Sequence, residues 1–167
     1  MIKIWADGAA KGNPGKGGYG SIVKYYNDKN EFIREDEFTD AFNKTTNNRM
    51  ELMGVIIAME SIDSPEDIEV YSDSLYIVNA FNKKWIDNWK KHDWKTTSNT
   101  AVKNKDLWER LLEVKQLHTV KFFWVKGHAG QTENERCDYL ASSSASGIKF
   151  TKGEDGKLKE IKEMTNV

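Results

Sequence analysis

Cysteine is nearly absent from the sequence, with one in 167 residues, and no apolar run approaches the ~18 residues that span a membrane. A single cysteine excludes an internal disulfide framework and a cysteine-based zinc site. The first residues also lack the layout of a secretory signal. Because 38% of the residues are hydrophobic and six are Trp, the chain is too apolar to be disordered. We therefore expect a cytoplasmic enzyme or binding protein.

An excess of one charge is also lacking, because the net charge is −1 at pH 7. A globally basic nucleic-acid binder is therefore not indicated. One segment departs from this balance. Residues 83–105 contain seven Lys against Asp87 and Asp93, a local net charge of +5, so the remainder sums to −6. Such a block is typical of a solvated face, and a surface that binds a polyanion is the alternative.

The spacing of apolar residues predicts a mixed chain, with period two in strands and helical spacing in helices. Strands are predicted at residues 2–7, 19–26, 31–39, 68–72 and 120–125. Helices are predicted at residues 48–60, 74–82, 83–95, 106–115 and 132–144. This order implies an α/β fold with a mixed five-stranded sheet, three antiparallel strands followed by parallel strands, and helices packed on both faces.

Residues 1–147 are expected to form one domain. Thr132 and Glu135 form a capping-box pattern at the start of the last helix, and Gly147 marks its end. Residues 148–167 are predicted to be a polar C-terminal extension. This extension is either a low-order tail or a small hairpin that turns at residues 153–156.

A glycine pattern near the N-terminus resembles a dinucleotide fingerprint. Gly15, Gly17 and Gly20 fit G-x-G-x-x-G and follow a strand. That fingerprint requires a helix next, whereas residues 21–26 are β-like. We therefore reject this cofactor site and expect no small-molecule cofactor.

Two aspartates follow predicted strands. Asp7 ends the first strand and Asp73 ends the fourth. The crevice outside the carboxyl ends of the strands is where open α/β sheets bind ligands, so the two carboxylates are expected to lie close together there. Taken alone, each Asp is more often a helix cap or a turn former.

Two further acids could join them. Glu51 lies one turn inside an otherwise apolar helix, and Asp138 lies in the last helix. Each has an ordinary alternative role, as a helix-dipole partner and as a surface group respectively. Four carboxylates without a cysteine cluster favour Mg²⁺, with Mn²⁺ as a possible substitute. Two such ions ~4 Å apart can promote hydrolysis of a phosphodiester.

His128 and the Lys-rich segment complete the candidate residues. His128 lies in a glycine-flanked loop after the fifth strand, where it is either a proton carrier or a surface histidine. Trp85, Trp89 and Trp94 are interleaved with the lysines, and Trp108 lies further on. These rings could simply pack a helix down. We favour stacking on nucleic acid, because Lys neutralises phosphates and aromatic rings stack on sugars or bases.

These motifs, in this order, resemble type 1 ribonuclease H in its bacterial form with a basic protrusion. The resemblance runs over residues 2–144, and the segment from residue 83 to 95 looks like the protrusion. Its markers are residues 7–8 (DG), 12–15 (GNPG), 45–52 (TTNNRMEL), 71–74 (YSDS), 124–130 (WVKGHAG) and 133–138 (ENERCD).

The resemblance implies a ribonuclease H-like sheet and hydrolysis of the RNA strand in RNA–DNA hybrids, leaving 5′-phosphate and 3′-hydroxyl ends. It implies two Mg²⁺ ions held by four carboxylates, with Asp7 bridging both, and it assigns proton transfer and product release to His128. The implied metal ligands are Asp7, Glu51, Asp73 and Asp138. The implied hybrid contacts are Asn13, Thr46, Asn47, Asn48, Lys83, Lys84, Trp85, Trp89 and Lys90.

One position departs from the family pattern. The bacterial form commonly has a Gln after the Asp-Ser pair, which contacts the minor groove, and this chain has Leu75. Two other functions remain possible from the residues alone. One is a metal-dependent DNA strand-transferase or resolvase on the same fold, and the other is a non-catalytic hybrid-binding module. A monomer is expected.

Overall fold

A computed structural model describes residues 1–127 and 129–161 of the chain. Its main sheet has five strands: β1 (Ile2–Ala10), β2 (Gly15–Tyr26), β3 (Phe32–Thr45), β4 (Asp67–Ser72) and β5 (Thr119–Trp124). The strand order is β3-β2-β1-β4-β5. Neighbouring pairs among β1, β2 and β3 are antiparallel, and β1–β4 and β4–β5 are parallel. The predicted sheet is therefore confirmed.

Five helices cover the sheet: α1 (Asn47–Glu60), α2 (Leu75–Asn82), α3 (Trp85–Lys91), α4 (Lys105–Lys115) and α5 (Thr132–Ala145). On one face, residues of α1, α2 and α4 join alternate residues of β1 in one core cluster, in which Ile4, Leu52 and Trp108 have no exposed surface. On the opposite face, Trp5 and Cys137 belong to a smaller cluster under α5. The alternation of side chains along β1 thus gives each face its own core.

Glycines in β2 allow α5 to lie directly on the sheet. A methyl group on Gly20 would overlap the carbonyl oxygen of Cys137, and one on Gly18 would lie 2.7 Å from the carbonyl oxygen of Ala141. Both backbone atoms belong to α5, so the helix contacts the strand through its backbone. This contact fixes the distance of α5 from the sheet.

The first three strands are longer than predicted. β1 continues past Asp7 to Ala10, so the prediction that Asp7 ends this strand is wrong. The reason is pairing with β2, which continues to Ala10↔Gly17. β2 correspondingly begins at Gly15, so only residues 11–14 form the turn. A glycine-rich sequence can continue a strand when its partner supplies the hydrogen bonds.

The sequence predicted the C-terminal end of α5 correctly but not its N-terminal end. Gln131 occupies the N-cap position and makes no side-chain cap bond, so the predicted capping box at Thr132 is wrong. Thr132 is instead the first helical residue. The predicted end is confirmed, because Ser146 is the C-cap and Gly147 follows with a φ of +94°. A left-handed residue after a helix favours glycine.

The C-terminal extension forms a hairpin of β6 (Phe150–Lys152) and β7 (Leu158–Glu160). Gly153 donates its N–H to the carbonyl of Lys157 at 2.8 Å, which closes the predicted turn. Residues 162–167 lie outside the described residues. Over the described part of the chain, no helix is long and apolar enough to cross a membrane.

Candidate active site

The two strand-associated aspartates lie where the parallel pairing of β1 and β4 stops. The last paired residues are Trp5 and Tyr71. Asp7 and Asp73 each lie two residues further along their strand direction. β1 then continues with β2 while the chain after β4 turns toward α2, so the strands diverge there. The two carboxylates therefore flank the same opening at the edge of the parallel sheet.

Glu51 reaches these aspartates because α1 begins against β1. A methyl group on Gly8 would overlap the backbone nitrogen of Glu51 and lie 2.8 Å from the Cβ of Met50. The absence of a side chain at Gly8 therefore lets the first turn of α1 contact the strand. The carboxylates of Asp7, Glu51 and Asp73 each offer an oxygen, and these oxygens all lie within 4.8 Å of one another.

Burial strongly affects the ionisation of this group. Asp7 and Glu51 are each only 6% exposed. Loss of hydration, followed by the charge of Asp73, raises the pKa of Asp7 to about 7. Loss of hydration, followed by the charge of Asp7, raises the pKa of Glu51 well above its usual value. Carboxylates gathered in this way repel one another unless protons or cations neutralise them.

The site fits a hard divalent cation. The buried Oε2 atom of Glu51 has no hydrogen-bond partner among the described residues. The Oδ1 atom of Asp7 accepts the N–H of Gly8 at 2.9 Å, which orients this carboxylate. The donor atoms are all carboxylate oxygens, which Mg²⁺ and Mn²⁺ prefer to the nitrogen and sulfur ligands of zinc sites. A cation would supply the partner that Glu51 lacks.

Asp138 contributes from the opposite side of the opening. It is half-buried on α5 and lines the same cleft of about 580 Å³ as the other three acids. Its charge also raises the pKa of Asp7. In the described part of the chain, its oxygens do not belong to the group within 4.8 Å. The structure therefore brings three predicted ligands together and places the fourth across the cleft.

The loop that carries His128 passes beside Asp73. His128 itself lies outside the described residues. Its neighbour Gly127 is so close that a methyl group there would lie 2.9 Å from Oδ2 of Asp73. Trp124 donates its indole N–H to the carbonyl oxygen of Asp73 at 3.2 Å. The segment on the N-terminal side of His128 is therefore fixed at the edge of the acidic cleft.

A sequence profile of the RNase H family matches residues 1–146. A protein named Ribonuclease H from Lachnoclostridium phytofermentans is 51% identical over 148 residues, which are 87% of this chain and 92% of that protein. Another, from Serratia proteamaculans, is 48% identical over 146 residues, which are 87% of this chain and 90% of that protein. This chain belongs to the ribonuclease H family.

Solved structures of ribonuclease H family members share the fold. The crystal structure of a type 1 RNase H with the type 2 active-site motif has a TM-score of 0.77 and 30% identity, covering 96% of this chain and 77% of that one. The crystal structure of an RNase H in complex with an RNA/DNA hybrid has a TM-score of 0.61, covering 88% and 98%. At 22% identity, this second likeness concerns the fold alone.

A recess of about 480 Å³ lies beside the acidic cleft of this ribonuclease H family member, and the polar residues that were predicted to contact the hybrid line it. Asn13, Thr46, Asn47 and Asn48 all line it. The Thr46 side chain also accepts a hydrogen bond as the N-cap of α1. The Oδ1 atom of Asn47 accepts the N–H of Ala10 at 3.0 Å, so its amide nitrogen remains as the donor.

Two residues of this recess were missed by the sequence analysis. Lys103 and Asn104 line it as well, although they are more than 50 positions from Thr46 along the chain. Arg49 holds them in place, because its guanidinium bonds Asp106 at 2.7 and 2.9 Å and Asn104 at 3.3 Å. Their only signal in the sequence was their position in the basic segment.

The basic segment divides into exposed lysines and partly covered rings. Lys83, Lys84 and Lys90 are exposed around α3. Trp85 and Trp89 are half-buried and pack against the main core. Trp108 and Trp94, which the sequence analysis grouped with them, are fully buried and half-buried respectively, and Trp108 donates its N–H to the hydroxyl of Tyr76 at 3.0 Å. Stacking on nucleic acid is therefore wrong for Trp108, whose ring has no exposed face.

Leu75 lies at the opening of the acidic cleft. It is the first residue of α2 and is 53% exposed. It lines the cleft together with Ser74 and Tyr76. The departure from the family pattern therefore changes the surface that a bound substrate would meet.

Proposed function

We propose that this chain is an endonuclease that hydrolyses the RNA strand of RNA–DNA hybrids, leaving 5′-phosphate and 3′-hydroxyl ends. One observation carries the proposal: three buried or half-buried carboxylates converge in a chain that belongs to the ribonuclease H family. The relatives named Ribonuclease H match most of the chain, which supports the same reaction here. Residues 1–147 would form the catalytic domain, and residues 148–167 an appended element.

The four acids would hold two divalent cations. When bound, such ions activate a water molecule and stabilise the leaving oxygen of the phosphodiester. Asp7 would help to hold both ions, because its carboxylate belongs to the group with Glu51 and Asp73 and the charge of Asp138 also raises its pKa. Mg²⁺ as the natural ion, with Mn²⁺ as a substitute, stays a prediction, as do the monomeric state and the cytoplasmic location.

The chain's own residues would bind and orient the hybrid. Asn13 and Thr46 would bind a phosphate of the DNA strand in the recess, with Lys103 adding positive charge there. Asn47 and Asn48 lie between the recess and the acidic cleft and line both, which suits contacts to the minor groove. RNA differs from DNA there by its 2′-hydroxyl, which can both donate and accept hydrogen bonds.

The remaining predicted residues would bind the hybrid or transfer a proton. Lys83, Lys84 and Lys90 are exposed and would contact phosphates without regard to sequence, and the open parts of Trp85 and Trp89 would add contact area. His128 would transfer a proton through its imidazole and assist product release, as a histidine does near neutral pH.

The test is a cleavage assay with end-labelled substrates: RNA–DNA hybrid, duplex RNA, single-stranded RNA and duplex DNA, each with Mg²⁺ or EDTA. Asp73→Asn is expected to abolish cleavage and to retain hybrid binding. Asp67→Asn is the matched control, because Asp67 is exposed at the other end of the same strand. The expected result is that only the RNA strand of the hybrid is cleaved, and that it is cleaved with Mg²⁺ but not with EDTA.

Other outcomes would reject the proposal. Cleavage of duplex DNA would indicate a strand-transferase or resolvase on the same fold. Tight hybrid binding without any cleavage would indicate a binding module. Near-normal activity of Asp73→Asn would remove the acidic cleft from the mechanism.

A further inference from the structure

The hairpin of β6 and β7 lies beyond the segment that matches the family profile, which ends at residue 146. It nevertheless binds to the enzyme fold on two sides. On the side of β3, Lys152 pairs with Asp36, and Lys157 lies 3.3 Å from Glu35. These two ion pairs are partly exposed and hold the hairpin to the outer strand of the sheet.

On its other side, the hairpin contacts α5. The hydroxyl of Tyr139 donates to Glu160, and its ring meets the ring of Phe150 edge-on, with 6.3 Å between centroids. The N–H of Ile148 bonds the carbonyl of Ser143 at 3.0 Å, so the connection from the helix to the hairpin is short and ordered. The hairpin therefore bridges β3 and α5.

A buried ion pair lies at the centre of this bridge. The carboxylate of Glu37, on β3, is only 2% exposed. It accepts two hydrogen bonds from Arg136 of α5, at 2.9 and 3.0 Å, and one from the N–H of Leu158 at 2.8 Å. Arg136 also donates to the carbonyl of Leu158 at 2.6 Å. The backbone N–H and carbonyl of Leu158 thus each bond one member of the Glu37–Arg136 pair.

This pair bears on the fourth acid of the cleft. Asp138 lies between Arg136 and Tyr139, which are the two α5 residues bound to the hairpin. Successive helical residues are rotated by about 100°, so Arg136 and Asp138 point to nearly opposite sides of the helix. A restraint on Arg136 therefore contributes to the rotation of α5 that directs Asp138 toward the cleft.

The packing of α5 on the sheet, in which Cys137, Leu140 and Ala141 have no exposed surface, sets the general orientation of the helix, and the hairpin adds a restraint outside this core. Gly18 and Gly20 set how closely the helix approaches β2, as described above. Apart from the hairpin, the N-terminal half of α5 is tied laterally by the ion pair of Lys24 with Glu133 at 2.9 Å. Asp138 lines the cleft but stands outside the group of oxygens within 4.8 Å, so its distance from Asp7 depends on how α5 is held.

We propose that residues 150–160 are a clamp that positions Asp138 for the cation site, acting through Glu37 and Arg136. Glu37 and Arg136 are positioning residues in this proposal, and neither touches the substrate. The proposal rests on the proposed function only in taking Asp138 as a cation ligand. It predicts that loosening the hairpin weakens cation binding without changing the surface that binds the hybrid.

A glycine offers a way to detach the hairpin without altering α5 or the cleft. Gly156 has a φ of +81°, and a methyl group there would overlap the carbonyl oxygen of Glu35. The Gly156→Ala variant should therefore move the hairpin away from β3. Gly153→Ala is the matched control in the same turn, because its added methyl group would lie 2.9 Å from a side-chain oxygen of Asp155 and in ordinary contact, at 3.6 Å, with the carbonyl oxygen of Lys157.

The main readout is Mn²⁺ binding to the full-length protein, measured by calorimetry without substrate. Hydrogen exchange at the Leu158 amide reports whether the hairpin has detached, because that amide is bonded to Glu37. We expect Gly156→Ala to bind Mn²⁺ about tenfold more weakly, at the small end of the effect of changing groups that support a metal ligand. Gly153→Ala should match the wild type. Asp138→Asn, which removes the ligand itself, gives the largest loss of Mn²⁺ affinity that misplacing Asp138 could cause.

Two further measurements separate positioning from simple stabilisation. In the cleavage assay, Gly156→Ala should need more Mg²⁺ for half-maximal rate, while its KM for the hybrid stays within about twofold. Arg136→Lys, which cannot bond both Glu37 and Leu158 in the same geometry, should change Mn²⁺ binding in the same direction. Arg136→Lys replaces Gly156→Ala as the test if the Leu158 amide of Gly156→Ala is still protected from hydrogen exchange, which would mean that the hairpin has not detached.

The proposal fails if an exposed Leu158 amide accompanies unchanged Mn²⁺ binding, whatever the loss in melting temperature. It also fails if Asp138→Asn binds Mn²⁺ like the wild type, because Asp138 is then not a ligand to be positioned. A rise in KM alone would assign the hairpin to substrate binding instead. Absence of hybrid cleavage by the wild type would reject the proposed function, and the calorimetric comparison would still decide this proposal.

Discussion

The buried carboxyl groups of Asp7 and Glu51 each offer an oxygen to a group of oxygens that lie within 4.8 Å of one another, and burial raises the pKa of both side chains. Without a cation, the raised pKa values favour protonation, which relieves the repulsion between the carboxylates. A divalent cation would neutralise the same charges in place of protons. The same two side chains therefore link the stability of the protein to pH and to metal.

We expect the metal-free protein to lose stability as the pH rises. The folded-state pKa of Asp7 is about 7, against 3.8 for an ordinary Asp. Between these values, the folded state holds a proton that the unfolded chain has released, so the free energy of unfolding falls with rising pH. Urea unfolding in EDTA should show a loss on the order of 3 kcal/mol between about pH 4 and pH 8.

The control for this prediction is the neutral variant Asp7→Asn. It should remove most of the pH slope and unfold at higher urea than the wild type near pH 8, while losing hybrid cleavage. Saturating Mg²⁺ should also restore stability to the wild type at that pH, because it binds the folded state alone. A wild-type protein with no pH slope in EDTA would contradict the interaction of these carboxyl groups.

Gly8 should be essential because of where α1 begins. In Gly8→Ala, the added methyl group overlaps the backbone of Glu51, so the first turn of α1 must move away from β1. A displacement of about 1 Å can cost about 100-fold in rate. We expect kcat to fall by that order and the unfolding free energy by about 2 kcal/mol. Gly153→Ala is the control, and an active Gly8→Ala enzyme would show that Glu51 need not be held there.

The sequence predicted those features of the fold and of the site that depend on the spacing of nearby residues. Period-two and helical spacing were sufficient to predict the five strands of the sheet, and to place Asp73 at a strand end and Glu51 one turn into α1. The length of β1 was not predictable, because it depends on pairing with β2 rather than on the residues after Asp7. The convergence of the acids is likewise a property of neighbouring strands and of Gly8.

Most of the errors share one physical cause, which is contact between distant parts of the chain. Lys103 and Asn104 join the recess because Arg49 bonds Asp106 and Asn104 across more than 50 positions. Trp108 lies among charged residues in the sequence, yet it packs against the rings of Tyr76, Phe81 and Trp89 from α2 and α3 and is completely buried. The hairpin turn at residues 153–156 was visible as a pattern, whereas its attachment through Glu37 was not.

The exposed lysines around α3 should determine the salt dependence of hybrid binding. Replacing Lys83, Lys84 and Lys90 together with Ala removes up to three phosphate contacts. The slope of log K against log salt should then become shallower by about 2 to 3, since each neutralised phosphate contributes about 0.7 to 0.9. Binding should be measured in EDTA over a salt series. The control removes three exposed lysines elsewhere, Lys29, Lys149 and Lys159. If both variants changed the salt slope equally, the basic segment would be an ordinary solvated surface and not a specific site for the hybrid.

Leu75 offers a change that should improve the enzyme. It is 53% exposed at the cleft, so Leu75→Gln buries no polar group and leaves no cavity. A Gln amide there can donate to and accept from base edges in the minor groove, and one added hydrogen bond contributes about 1 kcal/mol. We expect kcat/KM for the hybrid to rise about fivefold with an unchanged melting temperature. Leu117→Gln, at a leucine that is 45% exposed and does not line the cleft, is the control. If Leu75→Gln left kcat/KM unchanged or lowered it, Leu75 itself would provide the contact at this position, through its apolar surface.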